Sequence, residues 1–412
     1  MSLFSWVQDQ IKKAYAPLAE TYSKHLMEQL LEPMNIIDEQ VTIDMDDGST
    51  ATFQVFRSQH CNIKWPYKGW IRFHENVSLD EVKSLSAWMS FKTAVVDLPL
   101  GWGKWWIIVN PKELSPTELE KLSRAYIDAI WKHIWPTRDV PAPDVNTNGQ
   151  IMAWMADQYA KHVGERQPGV ITGKPLSIGW SKWRSIATAQ WWLYVLRRFL
   201  RHKNDSLKGK RIVIQWAWNA WLTFAQLAKE DGAIIVGISD SGWGIHLKEW
   251  LSIRKLKAIK SDRKSVTTYD AWTVVWHGDI LTIDCDILVP AALENQITEQ
   301  NANDIKGKII LELANGPTTP EAQPILDKAW IEVLPDILAN AWWVTVSYFE
   351  QVQNNANYYR PEDEVFEKLE KIMNKATNWV IATAQQHETN LRDAAYIVAI
   401  ERLLEAMQFR GR

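Results

Sequence analysis

The sequence predicts an α/β chain of more than one domain, and three observations predict it. From residue 211 onward, strand-like and helix-like segments alternate, the pattern of a parallel sheet with helices on both faces. Earlier, VTIDMDDGSTATFQVFRSQH alternates apolar and polar residues about Asp47-Gly48, as a hairpin does. A chain of 412 residues, 46% apolar and 23% charged, is also long enough to bury two or three cores.

Taken in order, the opening segment to about Met34 has helical spacing, with Ile11, Tyr15, Leu18 and Tyr22 on one stripe and Leu26 and Leu30 beyond. The hairpin follows. Ser78 with Glu81 three places on forms a capping box and starts a helix over 78–98. Ser115 followed by Pro116 starts another over 115–134, and further helices are predicted at 148–163 and 185–202. RIVIQ, AIIVGISD, DILTIDCDILVPA, KIILELAN and IEVLPDILAN are then the strands of the alternating half. The tail from Asp363 to Gln408 reads as two helices.

Composition excludes several classes of function. A net charge of -3 offers no strong field for nucleic acid or an anionic membrane. Cys61 and Cys285 lie far apart with no CxxC spacing, which favours a reducing compartment over a disulfide framework or a zinc site. The histidines, His74 and His277 among them, have no metal-ligand spacing, so no metal is expected. The start lacks the basic and apolar regions of a signal peptide, and no apolar run reaches membrane-spanning length; the expected location is cytoplasmic.

One total is abnormal: 25 tryptophans against 18 glycines, where glycine ordinarily makes up about 7% of a soluble protein. The stretch IVIQWAWNAWLTFAQLA (212–228) shows the effect. It is written like the strand, turn and helix of a dinucleotide-binding unit, with Trp216, Trp218 and Trp221 standing where glycines belong.

At PYKGWIRFH (66–74), LPLGWGKWWIIVNP (98–111), DVPAPDVNTN (139–148), ITGKPLSIGWSKWR (171–184), LVPAALENQIT (288–298), ELANGPTTPEA (312–322) and VLPDILANAWWVTVSYFE (333–350) the chain resembles the hexameric glutamate dehydrogenases of the Glu/Leu/Phe/Val dehydrogenase family. The resemblance runs in order from about residue 20 to the C-terminus. It implies a substrate-binding and oligomerisation domain over 1–184, a doubly wound Rossmann-type NAD(P)-binding domain over 185–345, and C-terminal helices over 346–412 packing back on the first domain.

The departure from the family is equally systematic. Trp65, Trp70, Trp102, Trp105, Trp106, Trp135, Trp180, Trp183, Trp191, Trp192, Trp216, Trp218, Trp221, Trp243, Trp250, Trp272, Trp276, Trp330, Trp342 and Trp343 fall where the family typically carries glycine or in its glycine-bearing turns. Returning those twenty to glycine would lift the glycine share from below the usual value to somewhat above it. UGA is read as glycine in some bacterial lineages and as tryptophan in others, so UGA-encoded glycines read with the other table give this pattern. A literal reading predicts an unfolded or inactive chain, since overpacking costs about 1–3 kcal/mol per site against a total stability of about 5–15 kcal/mol.

By the same resemblance, Lys68 holds the distal carboxylate of glutamate with Ser347, Lys92 holds the α-carboxylate, and Lys104, in the glycine-rich LPLGWGKWW loop, is the catalytic amine. Neighbouring cations and burial are expected to lower the Lys104 pKa. Asp144 is the expected proton shuttle to the substrate nitrogen. Without the resemblance, each lysine reads as a surface residue and Asp144 as a turn residue after Pro143. The cofactor is expected at Thr188, Trp216, Trp218, Asn219, Ala220, Trp221, Asp240, Asn315 and Asn340, with phosphates at the helix N-terminus near Asn219 and ribose hydroxyls on Asp240. A carboxylate at 240 tilts the choice toward NAD over NADP. Ile186 and Ala189 depart from the family's usual glutamate and glycine. The implied reaction is oxidative deamination of L-glutamate to 2-oxoglutarate and ammonia by a self-associating, homohexameric chain with no nucleic-acid or membrane partner. Two alternatives stand beside it: a dehydrogenase of leucine, valine or phenylalanine, and a non-catalytic homologue if the tryptophans are real.

Overall fold

The structure, a computed structural model, describes residues 2–179, 184–216, 219–270 and 273–411. Two compact units result. The first comprises Met1–Lys182, Val344–Val365 and Tyr396–Arg412, the second Trp183–Trp343 and Phe366–Ala395. The tail therefore divides: residues 366–395 cluster with the second unit, where all of 346–412 was expected to pack with the first. The reason lies partly in Arg392, whose guanidinium pairs with Glu312 of that unit.

The first unit opens with helix α1 (Leu3–Tyr15), capped by the Ser2 hydroxyl, and the short α2 (Lys24–Glu28). Strands β1 (Asn35–Asp44) and β2 (Thr50–Cys61) form the expected hairpin. Its turn is held by Asp47 Oδ1, which accepts the Ser49 N–H at 2.8 Å, and by Gly48 at φ 83°. After β3 (Tyr67–Phe73), the Ser78 hydroxyl caps α3 (Leu79–Val95). Next come β4 (Gly101–Ile107) and α4 (Pro116–Ile130), whose Ser115–Glu118 capping box is complete. β5 (Asp139–Pro143) and α5 (Gly149–Val163), capped by Asn148, follow. The sheet order is β1-β2-β4-β3-β5, antiparallel from β1 to β4 and parallel among β4, β3 and β5. Its core packs Val55, Ile71, Phe73, Trp105 and Ile107 against α4 and α5.

LPLGWGKWW is thus largely strand, where a glycine-rich loop was expected. Residues 101–107 are all buried, and β4 is central, hydrogen-bonded to β2 on one side and β3 on the other. Beneath it, Arg57 and Asp139, both wholly buried, form a two-pronged ion pair, and Gln59 Nε2 donates to the same carboxylate at 2.7 Å. Replacing Arg57 with methionine is expected to cost about 3–5 kcal/mol, because it strands a buried carboxylate. Urea unfolding measures the loss, and one below about 1 kcal/mol would show that Asp139 needs no cation.

The second unit runs α6 (Arg184–His202), β6 (Arg211–Gln215), α7 (Asn219–Glu230), β7 (Ile234–Ser239), β8 (Trp243–His246), α8 (Ile253–Ser261), β9 (Thr273–Trp276), β10 (Ile287–Pro290), β11 (Ile309–Leu311), α9 (Gln323–Lys328), β12 (Glu332–Leu334) and α10 (Asp336–Ala339). The sheet order β12-β11-β10-β6-β7-β8-β9 reverses direction beside β6, as in a doubly wound fold. Only five strands are parallel. β8 and β9 form an antiparallel edge that the βα alternation did not predict, because the chain after Asp240 folds straight back on β7. α11 (Trp342–Ala356), α12 (Glu362–Gln386) and α13 (Leu391–Phe409) complete the chain. Among the described residues, no helix is long and apolar enough to cross a membrane.

Candidate active site

In the first unit the site residues are arranged by the alternation of two parallel strands. Lys68, Trp70 and Arg72 project from one face of β3, since alternate residues share a face. The register pairs Lys68 with Trp102 and Arg72 with Trp106, so Lys104 on β4 shares that face, level with Trp70. The opposite face is core.

Lys68 is fully buried. Its ammonium donates to the Thr172 hydroxyl at 2.6 Å and to the Val140 carbonyl at 3.1 Å. Thr172 Oγ1 is in turn 2.8 Å from Ser347 Oγ on α11. The structure therefore joins Lys68 and Ser347 through Thr172, a residue that sequence reasoning misses even though it sits inside the recognisable motif ITGKP. Thr172 lies 104 residues from Lys68, and no local pattern links them.

Lys104 Nζ donates to Asp144 Oδ2, and Arg72 Nε donates to the same oxygen at 3.0 Å. Asp144 follows β5 and is fixed by its own N–H, which donates to Thr147 Oγ1 at 2.8 Å. Burial pulls the Lys104 pKa down to about 8, with Arg72 and Arg57 adding to the fall and Asp144 opposing it. Burial works to raise the Asp144 pKa, but Lys104 and Arg72 outweigh it and hold the carboxyl below its ordinary value. An amine poised to lose its proton beside a carboxylate poised to stay ionised can exchange protons with a bound ligand. Sequence reasoning misses Arg72 as well. Its signal is present, since it repeats the two-residue period of Lys68 and Trp70.

Lys92 is 3% exposed on α3, a helix that packs on β4. The Lys104 ammonium lies 5.8 Å from the centre of the Trp70 ring and 5.9 Å from that of Trp106, so indoles line the space above it.

In the second unit, β6 ends at Gln215 and the chain turns through residue 216 at φ 85°, where the N–H donates to Ser239 Oγ at 3.1 Å. Trp218 lies outside the described residues, as do the side chains of Thr188, Asn219 and Ala220. α7 begins at Asn219. A strand end, a left-handed residue at 216 and a helix N-terminus at Asn219 suit a pyrophosphate. The side chains do not: residue 216 carries an indole, and Trp221 stacks on Trp192 at 4.0 Å in the first turn of the helix. Asn340 Nδ2 donates to Asn315 Oδ1 at 3.0 Å, bringing those two expected contacts together.

They sit on a buried knot. Arg392 donates to Glu312 at 2.5 Å and to Gln323 at 2.9 Å, and lies 3.6 Å from Asp336. Glu312 accepts the Asp336 N–H, while Asp336 accepts the Gly316 N–H and, through its carbonyl, the Asn340 N–H.

Asp240 departs from expectation. Its Oδ1 accepts the N–H groups of Gly242 and Trp243, and its Oδ2 accepts the Val266 N–H and the Lys260 ammonium. A carboxylate offers about four acceptor positions, so these are engaged in shaping the turn where a ribose contact was expected. Burial raises its pKa, but those N–H donors and Lys260 prevail and keep it low. Among the described residues no cluster could hold a metal ion.

Comparison with known proteins adds five findings. Residues 179–411 match the family model described as Glutamate/Leucine/Phenylalanine/Valine dehydrogenase, and residues 33–161 match its dimerisation domain. The chain is 45% identical over 407 residues to the cryptic catabolic NAD-specific glutamate dehydrogenase GudB of Bacillus subtilis, covering 98% of this chain and 95% of that protein. It is 42% identical to the NAD-specific glutamate dehydrogenase of Staphylococcus aureus, covering 100% and 98%. Among solved structures, glutamate dehydrogenase from Peptoniphilus asaccharolyticus superposes with a TM-score of 0.90 at 37% identity over 100% of both chains. The hetero-hexameric glutamate dehydrogenase of Thermus thermophilus gives 0.90 at 30%, covering 100% and 97%.

Proposed function

We infer, from the premise that this chain belongs to the Glu/Leu/Phe/Val dehydrogenase family, how its own residues carry out the family's reaction. The chain is a glutamate dehydrogenase, an NAD(P)-dependent oxidoreductase acting on the CH–NH2 group of L-glutamate.

A bound nicotinamide would supply the acceptor for hydride from the substrate Cα. The protein supplies binding and proton traffic. Lys68, with Ser347 and the intervening Thr172, holds the distal carboxylate, and Lys92 holds the α-carboxylate. Neutral Lys104 takes a proton from the water that adds to the substrate iminium, and Asp144 passes protons to the departing nitrogen. The observation that carries this assignment is the buried Lys104–Asp144 pair with Arg72 alongside.

The sign of the pH dependence follows. A lysine held at about 8 rather than 10.5 gains its neutral form as pH rises through 8. Consequently kcat/KM for glutamate oxidation is expected to rise about tenfold per pH unit below that value and to level off above it. A pH-rate profile checks this, and a flat profile from about pH 6.5 to 8.5 would remove Lys104 from proton transfer.

On the cofactor side, Thr188, Asn219, Ala220, Asn315, Asn340 and the turn at 216–221 are proposed to line the nicotinamide and phosphates. NAD is the proposed preference, supported by relatives named NAD-specific. A cytoplasmic homohexamer is the proposed working form. The hetero-hexameric relative supports the six-fold count.

A further inference from the structure

We infer that the working polypeptide carries glycine, not tryptophan, at the twenty positions named above, its gene spelling those glycines with UGA. The inference does not depend on the assigned reaction. It rests on the backbone at Trp65, Trp216 and Trp330 and on burial at Trp102, Trp105 and Trp191, and extends to the other positions through the sequence pattern they share.

Ten residues other than glycine adopt positive φ among the described residues; five are Asn or Asp, and three are Trp65 (49°), Trp216 (85°) and Trp330 (58°). No Phe, Tyr, His, Leu, Ile or Val joins them. Side chains branched or bulky at Cβ avoid this region, whereas glycine enters it freely. All three tryptophans belong to the set of twenty. None of Trp6, Trp88, Trp131, Trp154 and Trp379, which lie outside the set, behaves so.

Trp330 allows a comparison within the chain. At the end of α7, Gly232 sits at φ 90°; its N–H reaches the Lys229 carbonyl at 2.9 Å, and the next N–H, of Ala233, reaches back to Ala228 at 3.0 Å. At the end of α9, the Trp330 N–H reaches Asp327 at 3.0 Å and the Ile331 N–H reaches Leu326 at 3.0 Å. The two helix ends share one left-handed closure, the position at which glycine is favoured. One is written Gly, the other Trp.

Burial gives a second argument. The indole N–H groups of Trp102, Trp105 and Trp191 are enclosed without an acceptor, although buried donors are almost always satisfied. Trp88 shares this feature, so it supports the inference only alongside the backbone. On the same strands, a Cβ on Gly69 would stand 1.9 Å from the Gly103 carbonyl oxygen, and one on Gly101 2.3 Å from that of Cys61. This sheet is built to glycine spacing. Glycine at Trp70, Trp102 and Trp106 would open the face above Lys104 to a substrate, and glycine at Trp216 and Trp221 would clear the turn before α7.

The test is peptide mass spectrometry of protein isolated from its native host, together with the gene's codons. The expected result is glycine in the peptides spanning 62–74, 98–111, 212–228 and 328–334, with TGA codons at those positions and TGG at Trp88 and Trp154. Indole masses at Trp65, Trp216 and Trp330 would overturn the inference whatever the activity. Both forms are then expressed recombinantly. The glycine form is expected to unfold cooperatively and to change NADH fluorescence by binding it, and the tryptophan form to do neither. A tryptophan form that binds NADH as tightly as the glycine form overturns the claim that these positions must be small. Glycine peptides in a chain that folds but leaves glutamate untouched would instead overturn the assigned reaction.

Discussion

Replacing Lys104 with methionine in the active chain is expected to lower kcat for glutamate oxidation by about 10³-fold, within the range of about 10²–10⁴ that positioned acid–base groups supply. Methionine keeps most of the buried stem while removing the amine. Arg72 still neutralises Asp144 at 3.0 Å, so the carboxylate is not left alone and the strand has no electrostatic reason to unfold. The effect should therefore fall on kcat, with KM for glutamate moving far less. Steady-state kinetics separates the two. A variant with unchanged kcat and a raised KM would make Lys104 a binding residue and return the proton-transfer role to another group.

The second large effect concerns substrate choice. Lys68 is wholly enclosed and linked to Ser347 through Thr172. An aliphatic side chain bound there would leave a buried ammonium without its counter-charge, a form of rejection that polar sites enforce by about 10⁴-fold. Lys68→Leu combined with Ser347→Val is expected to cut kcat/KM for glutamate by about that factor while improving leucine, so that the preference inverts. The measured quantity is the ratio of kcat/KM for glutamate to that for leucine. If Ser347→Val alone leaves the ratio unchanged, the Thr172 hydroxyl and Lys68 define the carboxylate site without it.

Local signals are legible in the sequence, and distant ones are not. Ser78 and Ser115 announce helix starts because a cap needs only the next three residues, and each is found capping its helix. The Asp47-Gly48 hairpin is equally self-contained. β4 reads as a loop because its glycines and tryptophans show no alternation. Its strand state comes from β2 and β3, one on each side, and the parallel pairing with β3 requires the crossover through α3. The site divides the same way. Lys68, Lys92, Lys104, Asp144 and Ser347 are identified through resemblance, whereas Thr172 and Arg72 gain meaning only once β3, β5 and α11 have brought them beside those residues. Asp240 stands at the expected strand end but does different work there, because the N–H groups of Gly242 and Trp243 just downstream, that of the more distant Val266, and Lys260 claim its oxygens first.

The knot around Arg392 has a consequence for biosynthesis. Domains form as the chain emerges from the ribosome, N-terminal parts first. When β11 and α10 have emerged, Glu312 and Asp336 face one another, but the cation that belongs between them is not yet translated. A nascent or prematurely terminated chain ending before 392 would hold two enclosed carboxylates without their guanidinium, so the loop bearing Asn315 and the helix preceding Asn340 would be clasped only once Arg392 has emerged.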